Sequence, residues 1–121
     1  MESQISPLAE SSTGQGGTVA AIPKLEDLVY TDIFSQAITG ELVGMANYAA
    51  MVRLSDDPTS QVEALRHAAS ELRHADAFRR TARDLGLRPR EDPQANYWGK
   101  VRAAFLRHAD RGDLLACTVI Q

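Results

Sequence analysis

The four residues Ser55-Asp56-Asp57-Pro58 constrain this chain more than any others. On either side of them apolar residues recur with a helical period, over residues 25–54 before the break and 59–85 after it. Pro58 suits a first helical position, where its missing N–H would have no partner anyway, and Asp57 or Ser55 can cap the N–H groups that follow. Gly86 is a natural stop for the second helix, because glycine takes the left-handed conformation that ends many helices. Two long helices joined by so short a turn lie side by side and antiparallel. The expected fold class is all-α, starting with a helical hairpin.

The hairpin fixes which residues meet. At 100° per residue, Glu41 sits in the middle of an apolar stripe with Tyr30, Phe34, Ala37, Ile38, Gly44, Met45, Tyr48 and Val52. Asp32, Gln36 and Thr39 lie opposite. On the second helix Glu71 shares its stripe with Ala64, His67, Ala68, His74, Ala75, Phe78, Ala82 and Leu85, while Arg66, Arg73, Arg80 and Asp84 face away. With the turn near Asp56, residues at one level have numbers that sum to about 112. Glu41 then meets Glu71. Phe34 meets Phe78, Ala37 meets Ala75, Ile38 meets His74, Met45 meets His67, and Tyr48 meets Ala64.

Two carboxylates facing each other in an apolar interior repel, and one of them must hold a proton unless a cation is present. His74, one turn beyond Glu71 on the same side, completes a Glu-x-x-His motif. Carboxylate oxygen with imidazole nitrogen suits divalent iron or manganese, and one carboxylate can bridge two ions. A Glu on one helix with Glu-x-x-His on the next is half of a ferritin-like di-iron site. The candidate metal ligands are therefore Glu41, Glu71 and His74, against the alternative of a hydrogen-bonded acid pair. His67 reads as a partly exposed core histidine, and His108 as a helix-end residue favoured by the dipole. Phe34, Tyr48 and Phe78 are core aromatics first and substrate-lining residues second. Gly40 and Gly44 either let helices approach or leave room beside a metal. The arginines of the second helix (Arg66, Arg73, Arg79, Arg80, Arg83) make a solvated face, or a patch for an acidic electron donor.

The remainder is less regular. Residues 1–23, rich in Ser, Gly, Gln and Thr, read as a flexible tail, and 24–121 as the structured domain. A loop spans 87–93, and a third helix is expected over 94–109, with Tyr97, Trp98, Val101, Phe105 and His108 on one side. After the break at Asp110–Gly112, Asp113 opens a fourth apolar run ending at Gln121 with no capping residue, the expected mark of a truncated bundle. The net charge of -3 gives no footing for nucleic acid. One cysteine excludes an intrachain disulfide, no apolar stretch spans a bilayer and no signal peptide is visible, so the expected location is cytoplasmic.

Several clusters together resemble the N-terminal part of the aldehyde-deformylating oxygenases, a ferritin-like branch. They are Tyr30 and Asp32, Ile38-Thr39-Gly40-Glu41, Asn47-Tyr48, Glu71-x-x-His74 with Phe78, Asp84-Leu85-Gly86, and the run from Gly112 to Gln121 that contains Cys117. The resemblance covers about three quarters of the chain. It implies a ferritin-like helical bundle with a di-iron centre, a manganese–iron pair being the variant. It also implies cleavage of a long-chain fatty aldehyde to a hydrocarbon one carbon shorter plus formate, using dioxygen and a ferredoxin-like electron donor. Carried onto this chain, Glu41 is a terminal ligand of one iron, Glu71 bridges, and His74 binds the iron that Glu41 binds. Phe34, Ile38 and Phe78 line the aldehyde tunnel, and Cys117 lies near it. A single chain offers three of about six protein ligands, so it is expected to be inactive alone. The alternative is a half-ferritin, in which a homodimer pairs two such half-sites for iron oxidation or storage. A non-enzymatic helical domain is the third reading.

Overall fold

The computed structural model describes residues 22–94 and 96–120. Helix α1 runs over Leu25–Met51 and tightens into a 3-10 turn at Val52–Leu54. Helix α2 spans Pro58–Asp84, α3 Asn96–Ala109 and α4 Leu114–Ile120. The described residues contain no strand, so the all-α expectation holds. Among the described residues no helix is long and apolar enough to cross a membrane. The tail expected at residues 1–23 lies almost wholly outside the described residues, as does Gln121.

The turn that organises the hairpin uses both residues the sequence offered. The Asp57 carboxylate accepts from the N–H of Ser60 at 2.9 Å and of Thr59 at 3.4 Å, and from the Ser60 hydroxyl at 2.7 Å. These bonds, the Ser60 hydroxyl foremost, hold the Asp57 carboxyl below its ordinary range. Ser55 shapes the turn instead: its hydroxyl accepts from the Asp57 N–H at 3.1 Å, and its carbonyl accepts from the Gln61 amide at 2.8 Å. At the far end of α2, Gly86 takes φ 72°. The N–H groups of Gly86 and Leu87 there return to the carbonyls of Arg83 and Ala82 at 2.9 Å each.

Helices α1 and α2 approach through small residues. Ala64, Ala68, Ala75 and Ala82 are buried on α2, and Ile38 is fully buried on α1. Burying one such isoleucine stabilises the pair by about 1.5–3 kcal/mol. Phe34 and Phe78 meet edge to face, with ring centroids 6.2 Å apart, as the level rule requires.

Helix α3 packs across the back of α1. The Trp98 ring lies over Gly40, where a Cβ would come within 2.7 Å of it, and its indole N–H donates to the Gln36 side-chain oxygen at 3.0 Å. Phe105 and Ala109 of α3 form a small core with Cys117 of α4, against Ala50, Met51, Leu54 and Ile120. Arg79 anchors the α2–α3 loop: its guanidinium forks onto both oxygens of Glu91 and also reaches Asp76 at 3.0 Å. Two helix boundaries differ from expectation. Gln94 lies in a turn, its N–H bonded to Asp92 at 3.2 Å, so α3 starts at Asn96. The last turn of the first helix is 3-10 rather than α because the chain must tighten into Ser55.

Candidate metal centre

Glu41 lies at the middle of α1, and Glu71 and His74 lie at the middle of α2. Each offers one ligand atom, and these atoms all lie within 4.8 Å of one another. The His74 Nδ1 atom stands 3.2 Å from Glu41 Oε2. The level match between Glu41 and Glu71 puts the acids together, and the helical step of three residues adds the imidazole. Gly44 faces them. A Cβ there would sit 3.2 Å from Glu71 Oε2, so the glycine leaves the carboxylate its space. The two glycines therefore divide the roles the sequence allowed: Gly40 admits α3 and Gly44 admits the Glu71 carboxylate.

The Glu71 carboxyl is pushed up from 4.5 to about 7. Desolvation is the main cause, followed by its hydrogen bond to Glu41 and by the Glu41 charge, with His74 opposing. The Glu71 carboxyl thus favours its protonated form beside Glu41, a conflict that a cation would remove. The Tyr48 hydroxyl is also held above its usual value, by burial and by the Glu71 charge.

One expectation needs correction. The group does not lie inside a closed apolar interior. Glu41 and Glu71 are only half-buried, and 55% of the His74 side chain is exposed. Helices α3 and α4 cover the back of α1, and no described element covers the side of the hairpin from which His74 projects. Apolar side chains stand exposed elsewhere on the hairpin too, among them Ile33 on α1 and Leu65 and Leu72 on α2.

The other residues singled out by the sequence separate into groups. Phe34, Ile38 and Phe78 stay within the hairpin interface. Tyr48 stacks on His67, ring centroids 4.8 Å apart and 17° from parallel. The level rule paired these residues with Ala64 and Met45, but the larger planar faces find each other one turn away. His67 is exposed and outside the ligand group. Cys117 is fully buried in the α3–α4 core, its thiol directed at the Phe105 carbonyl 3.8 Å away and pushed up by burial. His108 has a buried Nδ1 without a hydrogen bond, 3.6 Å from an Asp113 oxygen.

Sequence reasoning missed a cavity of about 180 Å³ directly beside Glu71. Gly40, Val43, Gly44 and Asn47 of α1 line it, together with Trp98 and Val101 of α3 and Ile120 of α4. The apolar side of α3 was legible in the sequence, but not which neighbour it would cover. Asn47 was marked only as part of an Asn-Tyr pair, yet it is buried to 1% exposure.

The family model for long-chain fatty aldehyde decarbonylase matches residues 26–121. Comparison with curated proteins and with solved structures finds no match. The matched span takes in the hairpin with its two acids and histidine, and both helices that cover its back. With a Glu and a Glu-x-x-His brought together on adjacent helices as a ferritin-like di-iron family requires, the chain belongs to the long-chain fatty aldehyde decarbonylase family.

Proposed function

We propose that Glu41, Glu71 and His74 hold iron in a di-iron centre, and that this centre serves a di-iron oxygenase. The reaction converts a long-chain fatty aldehyde to a hydrocarbon one carbon shorter plus formate, with dioxygen and external electrons. The observation that carries this reading is the convergence of the three ligand atoms within 4.8 Å in a chain of the decarbonylase family. The donor set fits iron: two carboxylates supply charge, one imidazole supplies nitrogen, and Glu71 favours a proton that a cation would displace. A manganese–iron pair would be held by the same donors.

Bound iron supplies the redox chemistry that activates dioxygen. The chain's own residues supply the setting. Glu41 and Glu71 would hold the metal and offset its charge, Glu71 giving up the proton that its burial favours. Trp98, Val101 and Ile120 wall one side of the cavity beside Glu71 and reduce its contact with bulk water. Phe34, Ile38, Tyr48 and Phe78 offer an apolar lining along the hairpin for the aliphatic chain. Cys117 packs with Ile120, which itself borders the cavity. A ferredoxin-like donor, acidic as such donors are, finds exposed cations on α2 at Arg66, Arg73, Arg80 and Arg83. The compartment we propose is the cytoplasm, which suits a single free thiol.

A ferritin-like di-iron site draws on about six protein ligands, a Glu and a Glu-x-x-His from each half. We place the ligands beyond these three outside the described residues. The open side of the hairpin, where His74 projects, favours one second reading: a second copy covering that side would bring an equivalent trio, giving a half-ferritin that oxidises or stores iron. The two readings separate in one assay. The protein is given ferrous iron, dioxygen, a reduced ferredoxin and octadecanal, and formate and heptadecane are measured. Formate and heptadecane in equal amounts, abolished in Glu71→Ala, support the oxygenase. Iron oxidation by a dimer without formate supports the half-ferritin.

A further inference from the structure

Among the described arginines, Arg79 and Arg102 alone are half-buried, and the rest are exposed. The fold treats the two differently. Arg79 forks onto Glu91 and also reaches Asp76. Arg102 of α3 has no ion pair with any described carboxylate. It donates to the Asn47 side-chain oxygen, a neutral group that offsets none of its charge. The Phe105 ring centroid, 5.9 Å away, lies at the limit of a cation–π contact. Burial pulls the Arg102 guanidinium below its usual value, and no acid opposes that pull. A guanidinium drawn part-way out of water without a counter-charge costs stability that an anion would return.

Arg102 lines a cavity of about 340 Å³ between α1, the α2–α3 loop and α3. Its other walls are Leu42, Val43, Met45 and Ala46 of α1 with Pro93 and Gln94 of the loop, all apolar side chains except Gln94. The loop wall is held in place. The Gln94 carbonyl is seated on Gly99 of α3, where a Cβ would collide with it, and the Gln94 N–H is bonded to Asp92 at 3.2 Å. Glu41, Glu71 and His74 do not line this cavity. Leu42, Val43 and Ala46 leave α1 at about 100–160° from Glu41. From these contacts we infer that the cavity at Arg102 binds an aliphatic carboxylate, its head on the guanidinium and its alkyl chain along Leu42, Met45 and Ala46. A carboxylate is the head that fits: its one negative charge matches the one cation in the lining, and its two oxygens match the planar fork. A phosphate monoester would bring further charge with no partner. The volume is at the small end of ligand cavities, roughly 300–1,000 Å³, so a chain of medium length fits and a long one protrudes. This site goes beyond the proposed reaction and does not depend on it.

Calorimetric titration of iron-free protein with sodium octanoate tests this, since no metal then competes for the carboxylate. Octanoate binds saturably. 1-Octanol keeps the chain but not the charge, and acetate keeps the charge but not the chain; each binds at least about tenfold more weakly. Arg102→Met removes the charge and weakens octanoate by about 10–100-fold, the worth of a hydrogen bond between charged groups. Ala46→Leu narrows the cavity, leaves Arg102 untouched and also weakens octanoate, which keeps the test decisive should the methionine variant fold poorly. Glu71→Gln binds octanoate as wild type does. The inference is overturned if octanoate does not saturate, if it binds Arg102→Met or Ala46→Leu as well as wild type, or if octanol or acetate matches it. Octanoate binding that disappears in Glu71→Gln also overturns it, because the carboxylate then sits at the metal group.

Discussion

Replacing Glu71 with glutamine separates the cost of the acid pair from its use. Glutamine keeps the shape of the side chain and removes its charge. In the metal-free protein the Glu71 carboxyl titrates near 7 instead of near 4.5. The folded state therefore holds the proton more firmly than the unfolded chain does. Stability from this group is fully present below about pH 4.5 and is lost as pH rises through about 7. The full difference corresponds to roughly 3 kcal/mol, but Glu71 is only half-buried and solvent screens the pair, which leaves about 1–2 kcal/mol. Glu71→Gln should thus be more stable than wild type by about that amount at pH 8.5, and no more stable at pH 4. Urea unfolding of metal-free protein at both pH values measures this directly. A glutamine variant that is equally or less stable than wild type at pH 8.5 would refute the claim that the two carboxylates stand in conflict.

Two further substitutions probe the frame that holds the group. Gly40→Ala places a Cβ within 2.7–2.8 Å of the Trp98 ring; the ring must move, which should destabilise the fold by about 1–3 kcal/mol and shift the indole emission, and an unchanged unfolding midpoint would contradict the packing of α3 on α1. Asp57→Ala removes the acceptor for the first N–H groups of α2 and should lower the melting temperature at pH 7. Because the Asp57 carboxyl is held below its ordinary 3.8, its contribution is present above that value and fades as pH falls through the lowered one, so the melting temperatures of variant and wild type should converge in acid.

Much of this site could be read from the chain because a hairpin has few degrees of freedom. Once Asp57 and Pro58 fix the turn, the helical rise sets the level of every residue, and Glu41 has no choice but to meet Glu71. The edge-to-face contact of Phe34 with Phe78 shows the same rule at work two turns away. What the period cannot give is burial. It places Glu71 and His74 on an apolar stripe, but whether that stripe is covered depends on elements that arrive from elsewhere. For His74 none of the described elements does so. Nor does periodicity say which face of α1 the third helix selects. That choice turned on Gly40, whose missing side chain makes a seat for Trp98, and it created both the cavity beside Glu71 and the Arg102–Asn47 contact. Tyr48 and His67 show the limit on a finer scale, since stacking of two flat rings displaced each by a turn from its level partner.

The central claim is that Glu41, Glu71 and His74 form one divalent-metal site. Anaerobic titration of the protein with ferrous iron, followed by calorimetry at pH 7.5 and again at pH 5.5, tests it most directly. The account predicts saturable binding at pH 7.5, release of the proton that Glu71 still partly holds there, and weaker binding at pH 5.5, where Glu71 is protonated. It also predicts a loss of affinity of at least about 100-fold in Glu71→Gln and in His74→Ala, since each removes a donor outright. Ferrous iron that binds wild type and both variants alike, with no dependence on pH, would contradict it.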